Sequence, residues 1–383
     1  MNKRIIFLIN HVSFFVSHRL PLALKARDNG YEVILITGMA GSKIMEKEAI
    51  KKIRRHNIIH KRTRISASGF NPLYEIIGMV QILYYLLIHK PSLLHVASTK
   101  GIIYGGIISR LINIKGLVVS FAGLGYLFTG KADLRKKIIQ NIFLLIQKFI
   151  LNHKNVCVIV QNSDDKRFLI VNKLTKKKNI ELIHGSGVDL KEFRFADEKY
   201  SEKIVLFPSR LLINKGVLEF LESAKILTKK YSDWKFILVG PIDYEHPTSL
   251  SIKKLKTYLS HENIEWVNYK KNIYSLYKKS SIVCLPSYRE GMPKSILEAA
   301  AVGRPVVTTN AIGCKESIKK NITGLMVPTR DIKKLTHSIE ILIKNKKMRI
   351  KFGKQARKFA EQKFDLNEVK NRILNIYNTL FEA

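Results

Sequence analysis

Two pairs of residues in the second half of the chain are spaced for chemistry. Arg210 and Lys215 stand five apart just after a short apolar run, 204–208, and Glu290 and Glu298 stand eight apart around Gly291, Met292, Pro293, Lys294 and Ser295. Two fixed cations of this kind suit a diphosphate, arginine through bidentate hydrogen bonds and lysine as a compact point charge. Gly291 permits a close backbone approach, and Pro293 suits the first position of a helix that ends at Gly303. The free N–H groups and positive dipole end of such a helix favour an anion. A carboxylate beside a phosphate site makes electrostatic sense where it serves hydroxyls, such as those of a sugar or a ribose. Solvated surface cations and an isolated helix start are the competing reading of each feature alone; their joint occurrence favours function.

These residues need rigid strand ends to hold them, and the pattern supplies such ends. Short apolar runs alternate with longer helical patterns throughout, the signature of β-α units and a parallel sheet. Strands are expected in the first half at 4–10, 32–37, 58–64, 93–97, 117–121, 156–161 and 180–183, with helices near 17–28, 72–89, 133–152 and 163–171. A second series follows at 204–208, 236–240, 264–267, 282–286, 305–308 and 324–327, with helices near 215–230, 248–260, 293–302 and 331–344. The fold class is therefore α/β, with two doubly wound halves joined at the glycine-rich segment from Gly185 to Asp189 and a final helical pattern, 348–381, that breaks near 363–365. In open α/β sheets ligands bind beyond the carboxyl ends of strands, which is where the four charged residues fall. The first half offers polar or glycine-bearing loops at 10–19 and 122–126, for which an ordinary βα turn is the equal alternative.

Composition narrows the partners. The 383 residues suffice for two or three domains, and 46% apolar with 25% charged residues excludes a disordered, collagenous or polytopic membrane chain. Sixty-seven basic against 30 acidic residues give a net +37, which points to a polyanionic partner: nucleic acid, an anionic membrane or a phosphorylated substrate. Residues 1–184 hold 30 basic and nine acidic residues, net +21, leaving +16 for the remainder. No run of five consecutive basic residues exists, which argues for a folded body with a positive face rather than a disordered nucleic-acid arm. Cys157, Cys284 and Cys314 are few, odd in number and far apart, so a reducing cytosol is expected, with neither disulfides nor a thiolate metal site. The apolar start, 5–9, is interrupted by Asn10, His11 and Ser13 and reads as a buried strand rather than a signal peptide. The greasy stretch 73–88 is shorter than the ~20 residues of a membrane span and contains Glu75 and Gln81, so it is expected to lie on a bilayer or cover a sheet, not to cross a membrane.

The spacing of Arg210 and Lys215 and of Glu290 and Glu298, with the flanking Pro286-Ser287, Glu298-Ala299 and Gly303-Arg304-Pro305-Val306-Val307, resembles the retaining glycosyltransferases of family 4. Gly187-Val188-Asp189 matches the opening of that family's second domain. The resemblance implies a GT-B fold: two Rossmann-like doubly wound domains facing a cleft. It divides the chain into an acceptor-binding domain, 1–184, a nucleotide-sugar-binding domain, 185–362, and a C-terminal helix, 363–383, packing back towards the first domain. Residues 14–23, 95–101 and 123–128 are similar to a bacterial branch that elongates undecaprenyl-diphosphate-linked sugars for O-antigens, capsules or glycoprotein glycans. The chain departs from the family in lacking Gly-Gly after the first strand and in carrying Phe121-Ala122 where many members have a histidine.

The resemblance further implies that a UDP-sugar donor, with N-acetylgalactosamine a candidate sugar, binds the second domain. Glu290, Lys215 and Arg210 would be catalytic. Arg210, Lys215 and the helix start at Gly291, Met292, Pro293, Lys294 and Ser295 would neutralise the leaving diphosphate, Glu290 would hold sugar hydroxyls, and Glu298 would hold the ribose. No metal or other cofactor is expected. Acceptor-side candidates are His18, Arg19, His95, Lys100 and Tyr126, against a structural role for each histidine. Expected partners are the UDP-sugar, a lipid-diphosphate-linked saccharide and an anionic membrane surface at the inner face of the cytoplasmic membrane, with no specific nucleic acid. The alternatives are a sugar-nucleotide epimerase on the same architecture, disfavoured by the lack of a clustered catalytic acid set, and a basic nucleic-acid-binding protein, disfavoured by the lack of a stacking groove or known module.

Overall fold

A computed structural model describes residues 3–39, 43–66, 71–123, 133–244, 246–268, 270 and 272–383. The chain divides into two compact units, one of residues 1–183 with 368–383 and one of residues 184–367. The first contains β1 (Arg4–Ile9), β2 (Glu32–Met39), β3 (Ile59–Ser66), β4 (Leu93–Ala97), β5 (Gly116–Ser120), β6 (Val156–Val160) and β7 (Ile180–Leu182). They form one sheet in the order β3-β2-β1-β4-β5-β6-β7, with parallel pairings throughout. Alternate residues of β1 face opposite sides, as a strand's period of two requires. Ile5, Phe7 and Ile9 enter one core, whereas Ile6 and Leu8 enter the other. Helix Leu366–Glu382 supplies Val369, Ile373, Leu374, Tyr377 and Leu380 to the first of these cores.

The second unit contains β8 (Ile204–Pro208), β9 (Lys235–Val239), β10 (Ile264–Val267), β11 (Ile282–Leu285), β12 (Val306–Thr309) and β13 (Gly324–Val327). Their order is β10-β9-β8-β11-β12-β13, again with parallel pairings. Parallel strands covered on both faces read as continuous apolar runs, and β8 and β11 are buried at every position. In each sheet the first strand of the series sits inside, with the order reversing across it: between β1 and β4 in one unit, between β8 and β11 in the other. Those two switch points are where loops leave in opposite directions and open a crevice.

Four described helices stand apart from the sequence expectation: Val12–His18, where a polar loop was expected, Tyr274–Lys279, and two longer ones. Lys43–Arg55 was not anticipated, and neither was Thr99–Leu111, whose Gly101, Gly105 and Gly106 depress helix propensity. Packing explains the glycines. A Cβ on Gly105 would lie 2.5 Å from Leu8 Cδ2, and one on Gly106 would lie 2.4 Å from Ile150 Cγ2, so this helix approaches its neighbours more closely than any larger residue allows.

Candidate active site

At the second sheet's switch point, β8 feeds residues 209–216 and β11 feeds residues 286–293. A 3-10 turn at Ile213–Lys215 is closed by Gly216 in the left-handed region, φ +76°. A Cβ there would stand 2.2 Å from the Pro286 carbonyl oxygen, so only glycine lets the two loops touch. The contact is stitched by the Tyr288 N–H and the Ser287 hydroxyl, which donate to the Asn214 carbonyl at 3.0 and 3.1 Å.

The stitching brings Lys215 against Glu290. The ammonium lies 2.5 and 2.7 Å from the two carboxylate oxygens, and the Ser287 hydroxyl donates to Oε1 at 2.8 Å. Below, the Glu290 N–H donates to the Ile312 carbonyl at 2.9 Å. Gly313, φ +80°, presses its Cα so close that a Cβ would fall 2.3 Å from the Glu290 carbonyl oxygen. The pair is half-buried, with side-chain exposures of 20% and 11%, so both groups are held in place yet remain reachable.

Arg210 is placed differently. Its guanidinium pairs with Asp243 at 2.8 Å in the segment after β9, and its side chain is 47% exposed. Lys294 opens helix Lys294–Val302, capped by Pro293 rather than starting on it, and its ammonium lies 3.8 Å from Glu298 Oε1. The Tyr277 hydroxyl lies 3.1 Å from Glu298 Oε2 and 3.0 Å from the Ser295 carbonyl, two acceptors that share its one proton. Burial pushes the Glu298 carboxyl above its ordinary pKa, against the opposing pull of Lys294 and Tyr277. Met292 is buried in the core, its Cγ 3.0 Å from where a Cβ on Gly185 would stand, so at this position only backbone is available to a ligand. The expected set is thus three neighbouring groups: Lys215 with Glu290, Arg210 with Asp243, and Lys294 with Glu298. Asn214, Asp243 and Gly313 join them without having been singled out, and Ser287, noted only as a flank of the motif, joins Glu290 directly.

In the first unit the expected acceptor-side residues are mostly absorbed by the fold. His95 is fully buried on β4, with Nδ1 2.5 Å from the Tyr377 hydroxyl and Nε2 2.7 Å from the Ser120 hydroxyl. Burial, reinforced by Arg19, holds its pKa far below the usual histidine range, so it is a neutral core hydrogen-bonder and not a surface contact. Arg19 is itself buried, donating to the His18 carbonyl at 3.4 Å while its Nε has no partner, and burial lowers its pKa. Lys100 donates to the Ser66 carbonyl at 2.9 Å and pairs with buried Glu75 at 2.7 Å, and Tyr104 donates to the same carboxylate at 2.8 Å. His18 stays half-buried at the end of helix Val12–His18, stacked 4.3 Å from Phe14 with Nδ1 2.6 Å from the Ser17 hydroxyl. Tyr126 lies outside the described residues. The switch point itself is lined by Asn10 and Ser98: the Asn10 N–H donates to the Ser98 hydroxyl at 3.1 Å, and that hydroxyl donates to Asn10 Oδ1 at 2.5 Å. Ser98 adopts φ 70°, ψ 153°, a region that non-glycine residues occupy only under constraint.

Two α/β units of this topology with charged groups at the second switch point define a glycosyltransferase fold of the GT-B type. Residues 189–359 match the family "Glycosyl transferases group 1" and residues 4–162 match "Glycosyl transferase 4-like". The chain is 30% identical, over 98% of both sequences, to the N,N'-diacetylbacillosaminyl-diphospho-undecaprenol alpha-1,3-N-acetylgalactosaminyltransferase of Campylobacter jejuni. It is 26% identical, over 78% of both, to the UDP-Gal:alpha-D-GlcNAc-diphosphoundecaprenol alpha-1,3-galactosyltransferase of Escherichia coli. Among solved structures, Anabaena HepE in complex with UDP and glucose superposes with a TM-score of 0.78 at 17% identity, covering 98% of this chain and 100% of that one. The chain belongs to glycosyltransferase family 4 and is an enzyme of the hexosyltransferase type, and it resembles the bacterial branch to which those two undecaprenyl-diphosphate-dependent relatives belong.

Proposed function

We propose that the enzyme transfers an N-acetylhexosamine, with N-acetylgalactosamine the first candidate, from a UDP-sugar in α linkage onto an undecaprenyl-diphosphate-linked saccharide. The Lys215–Glu290 pair at the second switch point carries this reading: a fixed cation for phosphate and a fixed carboxylate for hydroxyls share one small crevice. The likeness to the Campylobacter enzyme over nearly the full length supports the choice of sugar and lipid carrier.

In the proposed reaction Lys215 and Arg210 face the diphosphate, with Lys294 and the N–H groups that open its helix. They stabilise the charge that develops as the bond from the anomeric carbon to the diphosphate breaks. Glu290, freed from part of its contact with Lys215, accepts hydrogen bonds from hydroxyls of the transferred sugar. Glu298 accepts from the ribose. The acceptor hydroxyl attacks from the face the diphosphate leaves, giving retention through a short-lived oxocarbenium ion pair, and the departing phosphate oxygen takes the proton. The cations supply the charge neutralisation, so turnover is proposed to need no divalent metal. On the acceptor side His18 remains the reachable candidate. Helix Pro72–His89, with Leu73, Ile76, Val80, Tyr84 and Leu87 exposed along one side, is proposed to rest on the inner face of the cytoplasmic membrane.

A panel of UDP- and GDP-sugars tested for thermal stabilisation, followed by turnover with undecaprenyl-diphosphate-linked acceptors in excess EDTA, tests the reading. UDP-N-acetylgalactosamine is expected to give the largest shift and α-linked product. Preference for a GDP-sugar, or inversion at the anomeric carbon, would overturn it.

A further inference from the structure

Helix Leu134–Leu151 has a water-facing side that is chemically wrong for water. Its inner side is ordinary: Gln147, Ile150 and Leu151 are buried, the last two in the core on one face of the first sheet. Its outer side carries Leu134, Ile138, Ile142, Leu145 and Phe149 at successive spacings of four, four, three and four. These follow one line along a helix, and they are 45–75% exposed. Ile139, 54% exposed, adjoins the line. A helix covering a sheet normally turns polar residues outward, and a contiguous apolar row of this size marks a contact surface.

The charges beside the row are of one sign. Arg135, Lys136, Lys137 and Lys148 flank it, while the one acid within residues 133–151, Asp133, is occupied as the helix cap, accepting from the Lys136 N–H at 2.8 Å. A second copy of this chain, itself +37, would bring like charges together on that surface. An anionic bilayer would bring opposite ones, and an apolar row flanked by basic residues is the composition of a helix lying in the headgroup plane.

The helix is also placed to act with a neighbour. Both it and helix Pro72–His89 pack on helix Thr99–Leu111. Ile82 and Leu86, Ile102 and Ile108, and Ile150 and Leu151, from the three helices in turn, enter the same core. The two outward apolar rows therefore belong to one helical layer.

We propose that helix Leu134–Leu151 is a bilayer-binding element, seating its apolar row at the headgroup boundary of an anionic membrane with Arg135, Lys136, Lys137 and Lys148 on lipid phosphates. This goes beyond the reading above, which gives the membrane only Pro72–His89, and it does not depend on the transfer reaction. The full chain is floated with phosphatidylcholine vesicles containing one quarter phosphatidylglycerol and with pure phosphatidylcholine vesicles. Wild type is expected to float with the anionic vesicles and to lose most of that binding on neutral ones. Ile142→Asp with Leu145→Asp should lower partitioning at least about tenfold. Arg135→Glu with Lys136→Glu and Lys137→Glu, surface changes that leave the core intact, should lower it about a hundredfold at low salt. Unchanged far-UV circular dichroism and melting temperature establish that each variant is folded. Flotation of both folded variants at the wild-type level overturns the proposal. So does a wild-type dimer that the Ile142→Asp, Leu145→Asp variant splits without loss of vesicle binding, which would make a second copy the occupant. Lys215→Ala is expected to float normally, so a failed transfer reaction and a failed membrane contact are told apart.

Discussion

The two switch points differ in chemistry, not in topology. In the second unit the crevice between β8 and β11 is furnished with a lysine, a glutamate and a serine locked together by two glycine-dependent loop contacts. In the first unit the crevice between β1 and β4 holds Asn10 and Ser98, both neutral and hydrogen-bonded to each other. Lys100, the cation nearest in sequence to Ser98, is spent on Glu75. A doubly wound sheet thus supplies a place, and the side chains at two loop ends decide whether that place meets charge or hydroxyls. The net +21 of residues 1–184 is thus not concentrated on the two described residues that follow β1 and β4 at this switch point.

Removing the charged crevice is the sharpest way to break this contrast. Lys215→Ala is expected to lower kcat about a thousandfold, equivalent to about 4 kcal/mol of transition-state stabilisation, with an unchanged circular dichroism spectrum. Rates within a few-fold of wild type would sink the assignment of the second switch point.

His95 tests the other side. His95→Ala leaves the Tyr377 and Ser120 hydroxyls buried without their partner, and is expected to cost about 3 kcal/mol in urea unfolding. Turnover per folded molecule should stay within about twofold, given the distance in role between a core hydrogen-bonder and a catalytic group. Normal stability with lost turnover would instead move His95 into the chemistry.

A third measurement follows stability against pH. His60, on β3 with Nε2 2.8 Å from the Thr37 hydroxyl, has its pKa pushed down to about 4 by burial, with Arg62 and Arg54 adding to the effect. The native state therefore resists a proton that the unfolded chain accepts below the ordinary histidine value of 6.5. Its contribution is fully present above that value and is lost as pH falls from there towards about 4. His60→Gln should flatten that part of the profile by about 1–2 kcal/mol once solvent screening of the half-buried ring is allowed for, and an unaltered slope would count against the neutral state of the ring. The smallest effect is expected from Arg210→Ala. Exposed and already paired with Asp243, Arg210 should contribute about tenfold to kcat/KM for the donor; a loss as large as that of Lys215 would erase the distinction between the two cations.

The strands were legible because parallel sheets buried on both faces write themselves as unbroken apolar runs; each of the thirteen expected runs overlaps a strand. Thr99–Leu111 was illegible for a packing reason, since its glycines serve contacts with Leu8, Val96 and Ile150 that no local pattern encodes. The meeting of Lys215 with Glu290 could be anticipated from their loops. The pairing of Arg210 with Asp243 could not, because it depends on where the segment after β9 runs. His95 and Lys100 misled for the same reason. Nothing in residues 95–101 announces that their partners are Tyr377, Ser66 and Glu75.

One feature of the fold bears on how the protein is made. Residues 368–383 complete a core that otherwise consists of residues from 1–183, so the part of that face which helices Val12–His18, Leu20–Asp28 and Lys43–Arg55 do not cover stays open while the intervening 184–367 are being synthesised. At bacterial elongation rates that interval is about 10–40 s. During it Ile5, Phe7, Tyr31 and Leu35 wait for Ile373, Leu374 and Tyr377. Completion of the first unit's core therefore waits on translation of residues that belong to the second.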